Sequence, residues 1–115
     1  MAETSCLFCK FATGEIQVEL IAQNDGAIAF ADINPQAPIH LLIIPKQHFE
    51  NIAELAASAA DLQAVMQLAK QAAALSNISD TGYRLVFNTG ADAGQTVFHA
   101  HGHLLGGRSL QWPPG

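Results

Sequence analysis

The stretch His99-Ala100-His101-Gly102-His103-Leu104-Leu105 places three histidines at alternate positions. Side chains on a β-strand point alternately to opposite faces, so a strand over residues 98–105 would present His99, His101 and His103 together. A face that packs on a core would not carry three imidazoles, and this pattern therefore indicates a site. The alternatives are a solvated polar face or three histidines that each form a separate hydrogen bond.

The rest of the chain predicts a sheet and two helices around that strand. Asn24-Asp25-Gly26 is a strong hairpin signal between two strands. The other strands are expected over residues 18–23, 27–31, 39–44 and 83–87. Together the elements predict an α+β fold: a five-stranded antiparallel sheet with one long helix and a short N-terminal helix. The 115 residues are expected to form a single domain over residues 1–115.

The two helices have recognisable boundaries. Ser5 is the expected N-cap of the short helix, over residues 7–12. In the long helix, over residues 58–75, Ser58 and Asp61 resemble a capping box. Apolar residues spaced by three and four predict the face that packs on the sheet. They are Leu62, Val65, Met66, Ala69, Ala72 and Ala73.

Composition excludes several kinds of partner. The formal net charge is −5, and the five lysines and arginines are scattered, so no polynucleotide-binding surface is predicted. No apolar run approaches the roughly 20 residues that span a bilayer. The first residues lack the basic and apolar regions of a signal peptide, which favours a cytoplasmic protein.

Both cysteines lie in the unit Cys6-Leu7-Phe8-Cys9, which is typical of a metal site or a redox pair. Zinc usually takes four ligands, so two histidines would complete the set. His48 and His99 are the candidates, which would leave His101 and His103 for chemistry. The alternative is that the two cysteines are simply small buried residues.

The three histidines themselves allow two interpretations. His-x-His on a strand suits zinc. Alternatively, one imidazole attacks phosphorus and forms a covalent intermediate, which requires its other nitrogen to be held as a donor. The loop Gly94-Gln95-Thr96 would then supply backbone N–H groups and a hydroxyl to the phosphate oxygens.

These residues together resemble a known family. The stretch from His99 to Leu105 is similar to the histidine triad (HIT) motif. The loop Asp32-Ile33-Asn34-Pro35-Gln36-Ala37-Pro38 and the tail Trp112-Pro113-Pro114-Gly115 resemble its Hint branch, the purine nucleoside phosphoramidases. The resemblance covers residues 6 to 115.

The resemblance implies a role for each matching residue. His101 would be the nucleophile, His40 would support it, and Thr96 would hydrogen-bond near the leaving amine. Asp32 would bind the ribose hydroxyls, while His103 and Asn88 would hold phosphate oxygens and the nucleoside. The implied purine pocket consists of Leu7, Phe8, Phe11, Phe30 and Ile33.

In zinc-containing relatives the matching metal ligands are Cys6, Cys9, His48 and His99. The implied reaction cleaves P–N or mixed acyl-phosphate bonds of purine nucleoside monophosphate conjugates through a nucleotidyl-histidine. The resemblance also implies a homodimer with Trp112 near the partner's site. Alternatives are a zinc-binding interaction module, a metallohydrolase that uses the triad as ligands, and a dinucleoside polyphosphate hydrolase.

Two residues depart from the family pattern. Gly102 replaces a larger apolar residue, so weaker packing behind the strand is expected. Thr96 stands where relatives usually have serine, and its extra methyl group would crowd the leaving group.

Overall fold

A computed structural model describes residues 5–115 of the chain. Its elements are α1 (Leu7–Thr13), β1 (Leu20–Gln23), β2 (Ala27–Ala31), β3 (Ile39–Pro45), α2 (Ile52–Leu55), α3 (Ala59–Leu75), β4 (Tyr83–Phe87) and β5 (Gly102–Gly106). The strands form one antiparallel five-stranded sheet in the order β1-β2-β3-β5-β4. The predicted fold class is therefore confirmed. Within residues 5–115, no helix combines the length and the apolar character needed to cross a membrane.

The sheet separates two apolar clusters. On one face, α3 packs against β1, β2 and β3. On the other face, Phe8 of α1 packs with Ile28, Phe30, Leu42 and Ile44. β3 is buried along nearly its whole length, as expected for a central strand. The hairpin turn also forms as predicted, and its Asn24 amide donates a 2.9 Å hydrogen bond to the Ala64 carbonyl of α3.

The buried face of α3 differs from the predicted stripe at two positions. Leu68 is fully buried, whereas Met66 is 38% exposed. Leu68 follows Val65 by three residues and precedes Ala72 by four, so it belongs to the same helical face. Met66 lies one residue around the helix from Val65, where the sheet no longer covers it.

The helix caps also differ from expectation. Cys6, not Ser5, is the N-cap of α1, and its Sγ accepts the Cys9 N–H at 3.2 Å. Ser58 is the N-cap of α3, but its hydroxyl donates to Asp61 Oδ2 at 2.6 Å and forms no capping bond to the backbone. The short helix α2, which the sequence did not predict, is capped by the Asn51 side chain.

The histidine-rich strand is shorter than predicted. β5 begins at Gly102, so His99 and His101 precede it rather than belong to it. Upstream, the Ala100 N–H donates instead to the Phe49 carbonyl at 2.7 Å. The first strand is shorter too, since β1 begins at Leu20 rather than at residue 18.

Gly102 does not leave weak packing behind the strand, contrary to expectation. A Cβ at this position would lie 2.7 Å from Phe87 Cζ and 3.0 Å from Leu85 Cδ1. Side chains of β4 therefore fill the space that a larger residue would occupy, and glycine is what permits their approach.

Candidate active site and metal centre

A cavity of about 350 Å³ opens on the α1 face of the sheet, a volume typical of small-molecule sites. Many predicted site residues line it: Leu7, Phe8, Phe11, Phe30, Asp32, Ile33, Thr96, His101 and His103. Val18, Ala31, Leu42 and Val97 complete the lining and were not predicted. Asp32, Thr96, His101 and His103 are thus the polar residues of an otherwise apolar lining.

Three phenylalanines build the apolar wall. Phe30 meets Phe8 and Phe11 edge-on, with ring centroids 5.7 and 5.3 Å apart. Phe8 and Phe11 lie 6.0 Å apart and nearly parallel. Such an arrangement offers ring faces and edges to a planar aromatic ligand.

His101 lies in this cavity with one nitrogen already engaged. Its Nδ1 lies 2.8 Å from the His99 carbonyl oxygen, and only an N–H can donate there. The neutral ring therefore carries its lone pair on Nε2. This is the tautomer that a histidine nucleophile needs.

His103 is held by a directional chain of hydrogen bonds. The Gln36 backbone N–H donates to His40 Nδ1 at 3.0 Å, so the proton of neutral His40 sits on Nε2. His40 Nε2 lies 2.9 Å from His103 Nδ1, which accepts that proton's hydrogen bond. The remaining nitrogen of neutral His103, Nε2, is then an N–H donor. The sheet brings the pair together because Leu42, two residues after His40, is the register partner of His103.

Asp32 supplies negative charge beside this pair. One carboxylate oxygen accepts the Asn34 N–H at 2.8 Å, and the other lies 3.4 Å from His40 Nε2 and 3.9 Å from His103 Nδ1. Burial, with smaller contributions from His101 and His40, nevertheless lowers the pKa of His103 to about 4, against the raising effect of Asp32. His103 is therefore neutral at pH 7.

The loop between β4 and β5 is fixed by a buried glutamine. Gln95 accepts the Gly90 N–H at 3.0 Å and donates to the carbonyls of Glu50 and Val97 at 2.8 and 3.1 Å. These bonds set the position of Thr96. The Gly94 N–H closes a turn onto the Ala91 carbonyl at 3.0 Å.

Two of the predicted nucleotide-binding residues lie apart from the cavity lining. Gly94 belongs to the turn just described. Asn88 directly follows β4, at the end where Phe87 pairs with Gly102. The other predicted nucleotide-binding residues line the cavity, and Asn88 and Gly94 are not part of its lining.

The four predicted metal ligands meet in a second cluster. The donor atoms of Cys6, Cys9, His48 and His99 all lie within 4.8 Å of one another. His99 Nδ1 is 3.3 Å from Cys6 Sγ and 3.4 Å from Cys9 Sγ, and His48 Nδ1 is 3.3 Å from Cys9 Sγ. A tetrahedral ion with ordinary metal–sulfur and metal–nitrogen bonds would hold such atoms about 3.5 Å apart. The cluster can therefore hold a metal ion.

His99 is prepared for ligation. Its Nε2–H donates to the Pro45 carbonyl at 2.9 Å, which directs the Nδ1 lone pair toward both thiols. Burial lowers the pKa of His99 to about 4, so the ring is neutral at pH 7 as a ligand must be.

A second group of possible ligands, Asp32, His40 and His103, is less suited to a metal. Their donor atoms also lie within 4.8 Å of one another. However, the Gln36 N–H occupies His40 Nδ1 and leaves the proton on Nε2, the atom that would have to bind the ion. The geometry therefore favours a hydrogen-bonded histidine pair over a metal ion held by Asp32, His40 and His103.

Sequence reasoning missed two supporting groups. The Gln36 backbone N–H orients His40. The pattern of side chains in a sequence does not indicate which backbone N–H groups will donate to a side chain. The sequence indicated Gln95 only as part of the loop before Thr96, because its bonds to Glu50, Gly90 and Val97 depend on the folded backbone.

Comparison with known proteins gives a consistent result. A family model described as HIT domain matches residues 13–110. An uncharacterized HIT-like protein from Synechococcus elongatus is 46% identical over 109 residues, covering 95% of this chain and 96% of that protein.

Solved structures agree over almost the whole chain. A HIT family hydrolase from Legionella pneumophila superposes with a TM-score of 0.90 at 47% identity, covering 96% of this chain and all of that one. A HIT family hydrolase from Clostridium thermocellum gives 0.89 at 41% identity, covering 96% of each chain.

Proposed function

Since the chain belongs to the HIT domain family, we propose that it is a hydrolase of the Hint type, a purine nucleoside phosphoramidase. Its substrates are purine nucleoside monophosphates joined to an amine through a P–N bond, or to an acid through a mixed acyl-phosphate bond. The observation that carries the proposal is His101, whose bond to the His99 carbonyl leaves Nε2 as the lone-pair nitrogen in a cavity with aromatic walls.

The cavity suits a purine nucleoside monophosphate. Phe8, Phe11 and Phe30 offer an apolar wall for a planar base. Asp32 lies in the lining with a carboxylate oxygen that can accept ribose hydroxyls. In this arrangement the phosphate lies between His101 and His103.

The reaction has two steps. In the first, the His101 Nε2 lone pair attacks the α-phosphorus, the N–P bond forms and the substrate's P–N bond breaks. The electron pair of the broken bond goes to the leaving amine, which takes up a proton that the Thr96 hydroxyl helps to deliver. In the second, a water oxygen attacks phosphorus, the electron pair returns to Nε2, and the water proton leaves to solvent. The products are an amine and a nucleoside monophosphate.

Neighbouring groups stabilise the charges that develop. The intermediate places a positive charge on the His101 ring, and the His99 carbonyl accepts a hydrogen bond from its Nδ1–H. The Nε2–H of neutral His103 donates to a phosphate oxygen, because the chain from Gln36 through His40 keeps that proton in place.

The metal in this proposal is zinc. Two thiolates and two imidazoles are a donor set that zinc prefers, and four protein ligands are typical of a structural site. Zinc would tie α1 to the segments that carry His48 and His99, and the chemistry itself uses His101. A cytoplasmic location, where thiols stay reduced, suits this role of Cys6 and Cys9.

We also propose a homodimer. β4 lies at an edge of the sheet, and the tail beside it is anchored by Arg84, which donates to the Gln111 carbonyl at 3.0 Å. The next residue, Trp112, is 82% exposed in the single chain. A second copy would cover this edge and its tryptophan. Light scattering at micromolar concentration should give twice the monomer mass, and a monomer would contradict the proposal.

The decisive test replaces the nucleophile. His101→Gly should abolish turnover of an adenosine phosphoramidate, by at least about 10³-fold, while AMP still binds because the cavity walls remain. Normal turnover by this variant would refute the proposed function. A diadenosine polyphosphate serves as the comparison substrate, since faster cleavage of it than of the phosphoramidate would favour a dinucleoside polyphosphate hydrolase.

A further inference from the structure

Phe8 occupies a place that belongs to two sites at once. In sequence it lies between the metal-ligating residues Cys6 and Cys9. In space its ring lies 6.0 Å from the ring of His99 and 5.4 Å from that of His101, edge-on to both. The same ring forms part of the nucleotide cavity. One side chain therefore touches a metal ligand, the nucleophile and the space for the base.

A second contact joins the same two sites. The backbone carbonyl of His99 accepts the hydrogen bond that fixes the tautomer of His101. Any shift of His99 that follows from loss of the metal would thus reach His101 through this bond as well as through Phe8.

The element that carries Phe8 depends on its surroundings for its position. α1 has only seven residues, and helices this short are not stable in isolation. Its first turn is capped by Cys6 Sγ, and thiol groups form weak hydrogen bonds. A metal bound to Cys6, Cys9, His48 and His99 would fix this turn. The conformational entropy lost in ordering Phe8 would then be lost on metal binding, so that a nucleotide binds without this further loss.

From these contacts we infer that the metal centre and the nucleotide cavity are thermodynamically linked, with Phe8 as the positioning residue. Metal binding increases the affinity for purine nucleotides, and a bound nucleotide increases the affinity for the metal by the same factor. The inference rests on the proposed function in that it takes the cavity to be the nucleotide site.

The test measures both affinities on the wild-type protein. The zinc affinity is determined by competition with a chromophoric chelator, with and without saturating AMP, and the AMP affinity is determined by calorimetry on zinc-loaded and metal-free protein. We expect AMP to tighten zinc binding by about fivefold or more, the lower end of ordinary coupling between sites. Zinc should tighten AMP binding by an equal factor.

Phe8→Leu and Phe11→Leu form a matched pair of variants. Both residues line the cavity, but the ring contacts of Phe11 are with Phe8 and Phe30 rather than with a histidine. Phe8→Leu should bind zinc and AMP with a coupling factor clearly smaller than that of the wild type, since only the His99 carbonyl contact then joins the two sites. Phe11→Leu should bind AMP more weakly and keep the wild-type coupling factor. Equal coupling in both variants would overturn the role of Phe8.

The outcomes separate this inference from the proposed function. If AMP binds but leaves the zinc affinity unchanged, the linkage is refuted and the nucleotide site stands. If AMP binds neither form, the nucleotide site and the linkage fail together. The wild-type comparison does not depend on the folding of either variant. If Phe8→Leu does not fold, the wild-type measurements alone still test the linkage.

Discussion

The two nitrogens of His101 are made different by a single backbone carbonyl. Because the His99 oxygen takes the Nδ1–H, Nε2 is specified as the lone-pair nitrogen without a carboxylate partner. His103 receives its orientation in the same way, from the Gln36 N–H through His40. Backbone groups thus determine which nitrogen of each of these two neutral rings carries the proton.

The histidine chain predicts the effect of removing its middle member. His40→Ala deprives His103 Nδ1 of its donor, so the proton of His103 is no longer held on Nε2. We expect kcat/KM for an adenosine phosphoramidate to fall by about 10²-fold, as for loss of one preorganised donor. Steady-state kinetics measure this, and His40→Gln, which keeps an N–H donor, should recover part of the loss. Unchanged kcat/KM in the alanine variant would contradict the role given to His40.

The lowered pKa of His103 predicts that acid destabilises the protein. Burial lowers its pKa from 6.5 to about 4 in the folded state, so between these values the unfolded chain binds more protons and the free energy of unfolding rises with pH. This contribution is fully present above pH 6.5 and is lost as the pH falls to about 4.

The expectation can be measured with metal-free protein, so that metal release does not contribute. The midpoint of urea unfolding should be lower at pH 5 than at pH 7.5, and His103→Asn should reduce that difference. A variant as sensitive to pH as the wild type would show that His103 is not responsible.

At the scale of the elements, α3 gives a direct comparison of sequence pattern and structure. Leu68→Ala opens a cavity under the helix and should cost about 2–5 kcal/mol of unfolding free energy. Met66→Ala, at a position 38% exposed, should cost less than about 1 kcal/mol. Urea denaturation of the two variants checks the difference. Equal losses would mean that the helix is rotated relative to the structure described.

Sequence periodicity predicted the sheet well because the hairpin turn and the apolar run of β3 are local signals. Periodicity predicted that the last strand begins at residue 98, whereas β5 begins at Gly102. The alternation of His99, His101 and His103 is typical of a continuous strand. In the structure His99 is drawn into the metal cluster by Cys6, Cys9 and Pro45. These partners are more than fifty residues away along the chain, beyond the reach of any local pattern.

Family resemblance supplied most of the site that periodicity could not. The residues that the resemblance assigns to a purine pocket line one cavity, and the donor atoms of the four predicted metal ligands lie within 4.8 Å of one another. These groupings follow from the shared fold. The resemblance did not supply the bonds of Gln95 or of the Gln36 N–H, which depend on loop conformation.

For the molecule as a whole, the metal centre predicts a gain in stability on metal binding. Zinc at 100 times its dissociation constant should stabilise the fold by about 2.7 kcal/mol, or roughly 10 °C in Tm for a domain of this size. Differential scanning fluorimetry with and without chelator measures the shift. Chelation should leave kcat largely intact, because the proposed nucleophile, His101, is not among the four predicted metal ligands, and the effect of chelation on turnover should come from the weaker nucleotide binding inferred above. Immediate loss of kcat would instead favour a metallohydrolase.

The position of β5 in the sheet has a consequence for the order in which the molecule can be made. β5 is the last strand along the chain, yet it lies between β3 and β4. During synthesis on a ribosome, β4 therefore emerges before the strand that joins it to the sheet. Until β5 is made, one edge of β3 has no strand paired to it. His99, His101 and His103 are synthesised only with this segment, so neither the cavity nor the candidate metal cluster can be complete before it. A nascent chain halted before Gly102 would leave unpaired the edge of β3 and the edge of β4 that β5 normally joins, and unpaired strand edges promote aggregation.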